Sequence, residues 1–266
     1  MTIVESIIIA IVEGITEFIP ISSTAHMRIT ENILGLSNTD KFTEVFTIAI
    51  QLGAILSVIV LYWKKFFDFS RINFYMKLII AVIPSLLIGL LLKKYIDKVL
   101  EKPIVIAIIM LAGGVVLLFV DDWFKKPQIH NEQEITRMKA FQIGMYQCLA
   151  IVFPGLSRSA ATIIGGMSLK LDRSLAAEFS FLLAVPTMFA ATVYSLYKYI
   201  KDYGAFSSEE IKILTIGNLV AFVIALVAIK FFITLLKKYG FRIWGVYRVV
   251  LGIALLIMIY TGFLKS

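Results

Sequence analysis

Six apolar runs, at residues 45–63, 78–92, 103–120, 179–197, 213–229 and 245–264, reach or approach the roughly 17–25 residues that a helix needs to cross a bilayer. That many runs cannot be hidden inside one soluble domain of this length. The run at 78–92 is short, but it can begin near Tyr75 and end by letting Lys93 and Lys94 snorkel. The composition agrees: 59% of the 266 residues are hydrophobic and mean hydropathy is +0.89, against the roughly 45–50% apolar usage of soluble domains. The chain therefore reads as an all-α, polytopic membrane protein built as a single membrane domain, 1–266.

Other classes fall away early. The one cysteine, Cys148, can form no internal disulfide and no multi-cysteine metal site. A net charge of +8 would suit nucleic acid, but no soluble stretch is long enough to build a binding domain; basic residues at the ends of spans act as topology signals and headgroup contacts. Met1 to Ser6 carries Glu5 and no basic residue, so a cleavable signal is not expected.

Two further apolar regions, 3–33 and 141–169, are interrupted in their middles. The first carries Glu5, Glu13 and Glu17 and then Pro20, Ser22, Ser23, Thr24 and His26; the second carries Gln147, Pro154, Gly155, Ser157, Arg158 and Ser159. Irregular backbone at membrane depth is tolerated only where protein buries it or it lines a polar cavity. Each region is expected to be a re-entrant helical hairpin, with its break at the functional site. An offset of about 134 residues sets Pro20 on Pro154, Ser23 on Ser157, Glu44 on Glu178 and Glu13 against Gln147. Hairpin, Glu-opened span and two more spans then recur in the same order. The repeats are expected at about 1–123 and 140–264, joined by the polar loop 121–139. Three spans is an odd number, so the repeat is expected to be inverted, with its site near the midplane. The loops 64–77, 121–139 and 230–242, with Lys170 and Arg173, would share one side bearing fourteen Lys and Arg against ten on the other, and the positive-inside rule makes that side cytoplasmic.

Glu13 and Glu17 lie one helical turn apart on one face. Buried like charges repel, so the pair calls for a bridging divalent cation, or for one carboxyl acting as acid or base. A solvated interfacial helix is the plain alternative. Ser22, Ser23 and Thr24 suit a helix N-cap, and His26 lies three residues past Ser23, within reach of the same cavity. In the second break, Pro154 to Thr162 offers a Gly- and Ser-rich turn that opens a helix. Free N–H groups and the helix dipole there favour an anion. Arg158 adds a fork of donors suited to phosphate, or it pairs with Glu13 or Glu17. Glu44 and Glu178 could accept from Arg158 or cap their own helices. Gln51 is placed to bond across helices, Arg248 to snorkel or pair with an acid, and His130 to lie solvated in its loop.

The runs EGITEFIPISSTAH (13–26) and PGLSRSAAT (154–162) together closely resemble the undecaprenyl-diphosphate phosphatases of bacteria, the bacitracin resistance family, over essentially the whole chain. Ala25 and Ala160 stand where that pattern usually has glycine. The resemblance implies an enzyme of the bacterial cytoplasmic membrane that needs Mg2+ or Ca2+ and hydrolyses undecaprenyl diphosphate to undecaprenyl phosphate and inorganic phosphate, recycling the carrier for peptidoglycan. It also implies functional roles for Glu13, Glu17, Ser23, His26 and Arg158, with Ser22, Thr24, Ser157, Ser159 and Thr162 around them. The expected assignment makes Ser23 the nucleophile, with Glu17 or His26 taking its proton; the alternative is a water nucleophile with Ser23 only contacting phosphate. Glu13 and Glu17 would hold the cation, and Arg158 with the serine turn would hold phosphate. Expected partners are a polyprenyl diphosphate lipid, membrane lipids and, as an open alternative, a second copy of the chain, with no nucleic acid. The rival is an inverted-repeat transporter or lipid translocase in which Glu13, Glu17 and His26 form a proton relay.

Overall fold

A computed structural model describes residues 1–36, 40–92 and 102–264. Its described secondary structure is helical, apart from one isolated bridge between Ile129 and Leu171. The elements are α1 (Ile3–Thr16), α2 (Ser23–Ile33), α3 (Lys41–Ala49), α4 (Gln51–Leu61), α5 (Trp63–Phe66), α6 (Ile72–Leu91), α7 (Pro103–Trp123), α8 (Arg137–Val152), α9 (Arg158–Ser168), α10 (Arg173–Tyr203), α11 (Ser208–Tyr239) and α12 (Arg242–Tyr260). Six helical stretches are long and apolar enough to cross a membrane: Lys41–Leu61, Ile72–Leu91, Pro103–Trp123, Arg173–Tyr203, Ser208–Tyr239 and Arg242–Tyr260. Each contains or overlaps one of the six runs in the sequence. Phe231, Val250, Ile257 and many similar side chains stay exposed on their outer faces, as lipid-facing helices require.

The termini of these helices are written locally. Thr2 and Glu5 form a capping box at the start of α1, and Ser207 and Glu210 form another at α11. Asp172 caps α10 through Ser174 and Leu175 N–H. The interrupted regions are helix–break–helix units, α1–α2 and α8–α9. Both second helices start the same way. Ser22 and Ser157 hold left-handed φ angles of 70° and 77°, and their hydroxyls accept from Ala25 and Ala160 N–H. The structural counterpart of Ser157 is therefore Ser22, one residue away from the Ser23 that the 134-residue offset selects. Between proline and cap, the second break holds Gly155 and Leu156 where the first holds only Ile21.

The packing crosses between halves. α1 lies mainly on α11, α8 lies mainly on α6, and α7 pairs with α12 in the most extensive helix contact of the fold. The two breaks thereby meet inside the protein, and the core around them includes Phe18, Ile19, Ile21, Ile163 and Phe181.

Candidate active site where the two breaks meet

Glu17, at the C-terminal cap of α1, sits between the first residues of both broken helices. Ser23 Oγ donates to its Oε2 at 2.7 Å, and Arg158 Nη2 donates to its Oε1 at 3.1 Å. By the matched caps, Ser23 and Arg158 occupy the same position in their two helices. A buried carboxylate is thus gripped by one hydroxyl and one guanidinium from opposite halves of the chain. Arg158 Nη1 donates to Ser180 O at 3.1 Å, and the guanidinium carbon lies 5.9 Å from the Phe18 ring centre. Its Nε is buried without a protein partner. The expected pairing of Arg158 with a glutamate is present, and Glu17 is the one chosen.

Glu13 is buried one turn earlier, with Glu17, Arg158 and Gln51 as its neighbours. Its Oε1 has no hydrogen-bond partner. An orphaned carboxylate oxygen beside a second carboxylate is a hard-oxygen donor set that suits Mg2+ or Ca2+. Among the described residues no three His, Cys, Asp or Glu side chains converge, so protein alone would not fill such a cation's shell. Water and the oxygens of a bound anion would supply the rest, as is usual for Mg2+.

His26 faces elsewhere. Its Nδ1 lies 2.7 Å from Ser22 O, which can only accept, so Nδ1 carries the hydrogen. Nε2 is left to accept from the Tyr247 hydroxyl at 2.7 Å, and the two rings stack with an interplanar angle of 4°. Ser23 is bonded to Glu17, which places that carboxylate beside the hydroxyl proton. Tyr247, on α12, was not singled out in the sequence; an aromatic in an apolar span carries no signal of its own.

The remaining hydroxyls divide. Ser157 caps α9 and lies 3.0 Å from Ser159 Oγ, while Ser159 Oγ donates to Ile19 O at 3.2 Å and so ties one break to the other. Thr162 Oγ1 is 2.6 Å from Ser180 Oγ and bonds Arg158 O and Ser159 O, which commits it to the packing of α9 on α10. Ser22 is buried as a cap, and Thr24 is half-buried beside Ser23. Ala25 and Ala160 are the two capped positions, both buried in helical turns.

The other polar residues singled out in the sequence find these partners. Glu44 pairs with Lys41 on the surface, and Glu178 pairs with Lys65, so neither reaches Arg158. Glu44 lies in the first turn of α3, which is the dipole role, whereas Glu178 lies a turn further into α10 and is held by Lys65. Lys65 also donates to Glu132 at 2.8 Å, joining the loop after α4, the 121–139 connector and α10. His130 is exposed but lies 3.2 Å from Asp172 rather than in water alone. Gln147, the counterpart of Glu13, bonds Ser85 and Thr187 and stays out of the site. Arg248 neither snorkels nor meets an acid: it is fully buried and donates to main-chain carbonyls.

The sequence that builds this site matches a known protein family. The family model described as Bacitracin resistance protein BacA matches residues 6–254. The chain belongs to this family. It is 54% identical over 258 residues to a protein named undecaprenyl-diphosphatase from Flavobacterium psychrophilum, covering 97% of this chain and 96% of that one. Proteins of the same name are 47% identical in Porphyromonas gingivalis W83, covering 98% of both chains, and 44% identical in Aquifex aeolicus, covering 95% and 97%. Every residue of the meeting point, from Glu13 to Arg248, falls inside the matched span.

Proposed function

We propose that this chain is an undecaprenyl-diphosphate phosphatase of the bacterial inner membrane. It releases inorganic phosphate from undecaprenyl diphosphate and returns the monophosphate carrier to peptidoglycan and cell-wall synthesis, an activity that confers bacitracin resistance. The observation that carries the chemistry is the Ser23–Glu17–Arg158 constellation: a hydroxyl held by a carboxylate, beside a guanidinium with one donor free.

In the mechanism, Ser23 Oγ attacks the terminal phosphorus and gives its proton to Glu17 Oε2. The bond from that phosphorus to the bridging oxygen breaks, and lipid monophosphate leaves. Water then attacks the phosphoserine, Ser23 recovers its proton from Glu17, and inorganic phosphate departs. Arg158 and the N–H groups opening α9 stabilise charge on the phosphoryl oxygens, the main lever in phosphoryl transfer. Glu13 and Glu17 would hold a divalent cation, which supplies charge neutralisation on the diphosphate when bound. His26 is kept as the Nδ1–H tautomer by Ser22 O, and its Nε2 accepts from the Tyr247 hydroxyl, so it would serve the water step only once that hydroxyl turns away and frees the Nε2 lone pair.

The chain further reads as an inverted repeat of two units, each a re-entrant hairpin followed by three spans. The matched left-handed serine caps and the exchange of α1 onto α11 and α8 onto α6 support that reading. On it, the loops bearing Lys65, Lys125 and Arg173 face the cytoplasm. The carrier alternative is disfavoured because transport gives no role to a serine hydroxyl aimed at a carboxylate. Phosphate release from a long-chain polyprenyl diphosphate by purified protein, with Mg2+ or Ca2+ and then with EDTA, tests the assignment. Cation-dependent release is expected; lipid binding without release would point back to a carrier.

A further inference from the structure

We propose that Arg248 is a positioning residue for this reaction: it latches the two breaks to each other and so aims Ser23 and Arg158 across Glu17. The inference rests on the phosphatase reading above.

Arg248 is in the middle of α12 and has no exposed surface. A buried guanidinium ordinarily sits beside an acid, since an uncompensated charge is costly. Here four main-chain carbonyls take that place. Nε donates to Met110 O at 3.2 Å and Nη2 to Gly155 O at 3.0 Å. Nη1 donates to both Pro20 O at 3.2 Å and Leu156 O at 2.7 Å. Three of these carbonyls belong to the breaks, where the helical ladder is interrupted and membrane depth offers little water to take over. One side chain therefore satisfies the irregular backbone of both halves at once.

The geometry is specific to arginine. Pro20 lies three residues before Ser23 and Leu156 two residues before Arg158, so a single nitrogen bridges the strands of chain that launch the two catalytic groups. A planar fork can address carbonyls from three different segments; an ammonium has one nitrogen and no fixed plane. The neighbouring helix is shaped around that fork. A Cβ on Gly113 would lie 2.4 Å from Nη2 and 3.0 Å from the guanidinium carbon, so α7 holds glycine where the arginine passes. Gly113 contributes no group to the chemistry, and enlarging it presses first on the latch, with only ordinary contact at 3.4 Å to the Leu156 side chain.

The test is kcat and KM for phosphate release at saturating Mg2+ by the full-length protein, its Arg248→Lys, Gly113→Ala and Arg158→Lys variants, and the Arg158→Lys/Arg248→Lys double variant. Aim is an interaction realised in the transition state, so a misaimed site appears in kcat rather than in KM. Arg248→Lys is expected to lower kcat by about 30–100-fold, the scale of an ångström-level misplacement, with KM within about threefold. Gly113→Ala is expected to lower kcat about tenfold with the same split. Because Arg248 aims Arg158 as well as Ser23, the double variant should lose clearly less than the product of the two single losses, since coupled groups are not additive. The proposal is overturned if Arg248→Lys keeps kcat within about threefold of the parent, or if the two lysine losses multiply. Should Arg248→Lys not fold, the Gly113→Ala kcat decides, and an unchanged value overturns the proposal. If neither variant folds, the residue is a folding element and the proposal fails. Absence of release by the unsubstituted protein would instead sink the phosphatase reading.

Discussion

Replacing Glu17 by glutamine separates the carboxylate's chemistry from its packing. Glutamine has nearly the same shape but one acceptor oxygen in place of two. It can keep that oxygen toward Arg158 Nη2 and turn its NH2 toward Ser23, whose hydroxyl then accepts where it had donated at 2.7 Å. Every group keeps a partner, so the fold loses only the charge assistance of the Arg158 bond, about 1 kcal/mol. Ser23, however, no longer has a base for its proton. A positioned general base contributes about 10²–10⁴-fold, or about 2.7–5.5 kcal/mol of barrier at 1.36 kcal/mol per decade. Steady-state phosphate release at saturating Mg2+ keeps any loss of cation affinity out of kcat. Glu17→Gln should therefore remain folded, melt within a few degrees of the parent and lose at least about 100-fold in kcat. A folded variant that keeps more than about a tenth of the parent kcat would refute the assignment of Glu17 as base.

Ser23→Ala should lower kcat by at least about 100-fold, and turnover near the parent level would exclude a covalent phosphoserine. Glu13→Gln should move the Mg2+ concentration for half-activation up by about tenfold or more, measured by cation titration of phosphate release; an unchanged titration would remove Glu13 from the cation. Tyr247→Phe should lower kcat by about tenfold while leaving KM unchanged, and an unaltered kcat would show that the ring does not need the phenol. Outside the membrane, burial pulls the Lys65 ammonium down, but its hydrogen bonds and charge contacts with Glu132 and Glu178 outweigh that and hold its pKa above the ordinary lysine value. A raised folded value means stabilisation that is fully present below the unfolded pKa of about 10.4 and lost as pH rises through the folded one. Lys65→Met should therefore lower the melting temperature at pH 7, with the gap to the parent closing only in strong alkali; a gap that widens there would contradict the sign.

The spans were legible because a run of apolar residues as long as a bilayer is thick has few other uses. Each of the six runs lies within or overlaps one helix of spanning length. The breaks were legible for the same reason in reverse, since proline, serine and glutamate inside such runs need a polar purpose. That Arg158 would pair with Glu13 or Glu17 followed from charge; which of the two it meets is fixed by the fold. Three things depended on distances that no linear pattern encodes. The match of the two serine caps, Ser22 with Ser157, is seen only in backbone φ angles, and a shorter first break sets it one residue away from the 134-residue offset. The turn of His26 toward Tyr247 depends on how α12 passes the first break. The role of Arg248 was hidden because its partners are main-chain carbonyls, which every residue possesses.

The most direct test compares single-turnover phosphate release by the parent, Ser23→Ala and Arg158→Ala, one substitution from each half of the chain, with lipid binding measured on the same samples. The constellation around Glu17 predicts that either substitution suppresses release by at least about 100-fold while polyprenyl diphosphate still binds. Release persisting in both folded variants would mean that the chemistry happens somewhere other than where the two breaks meet.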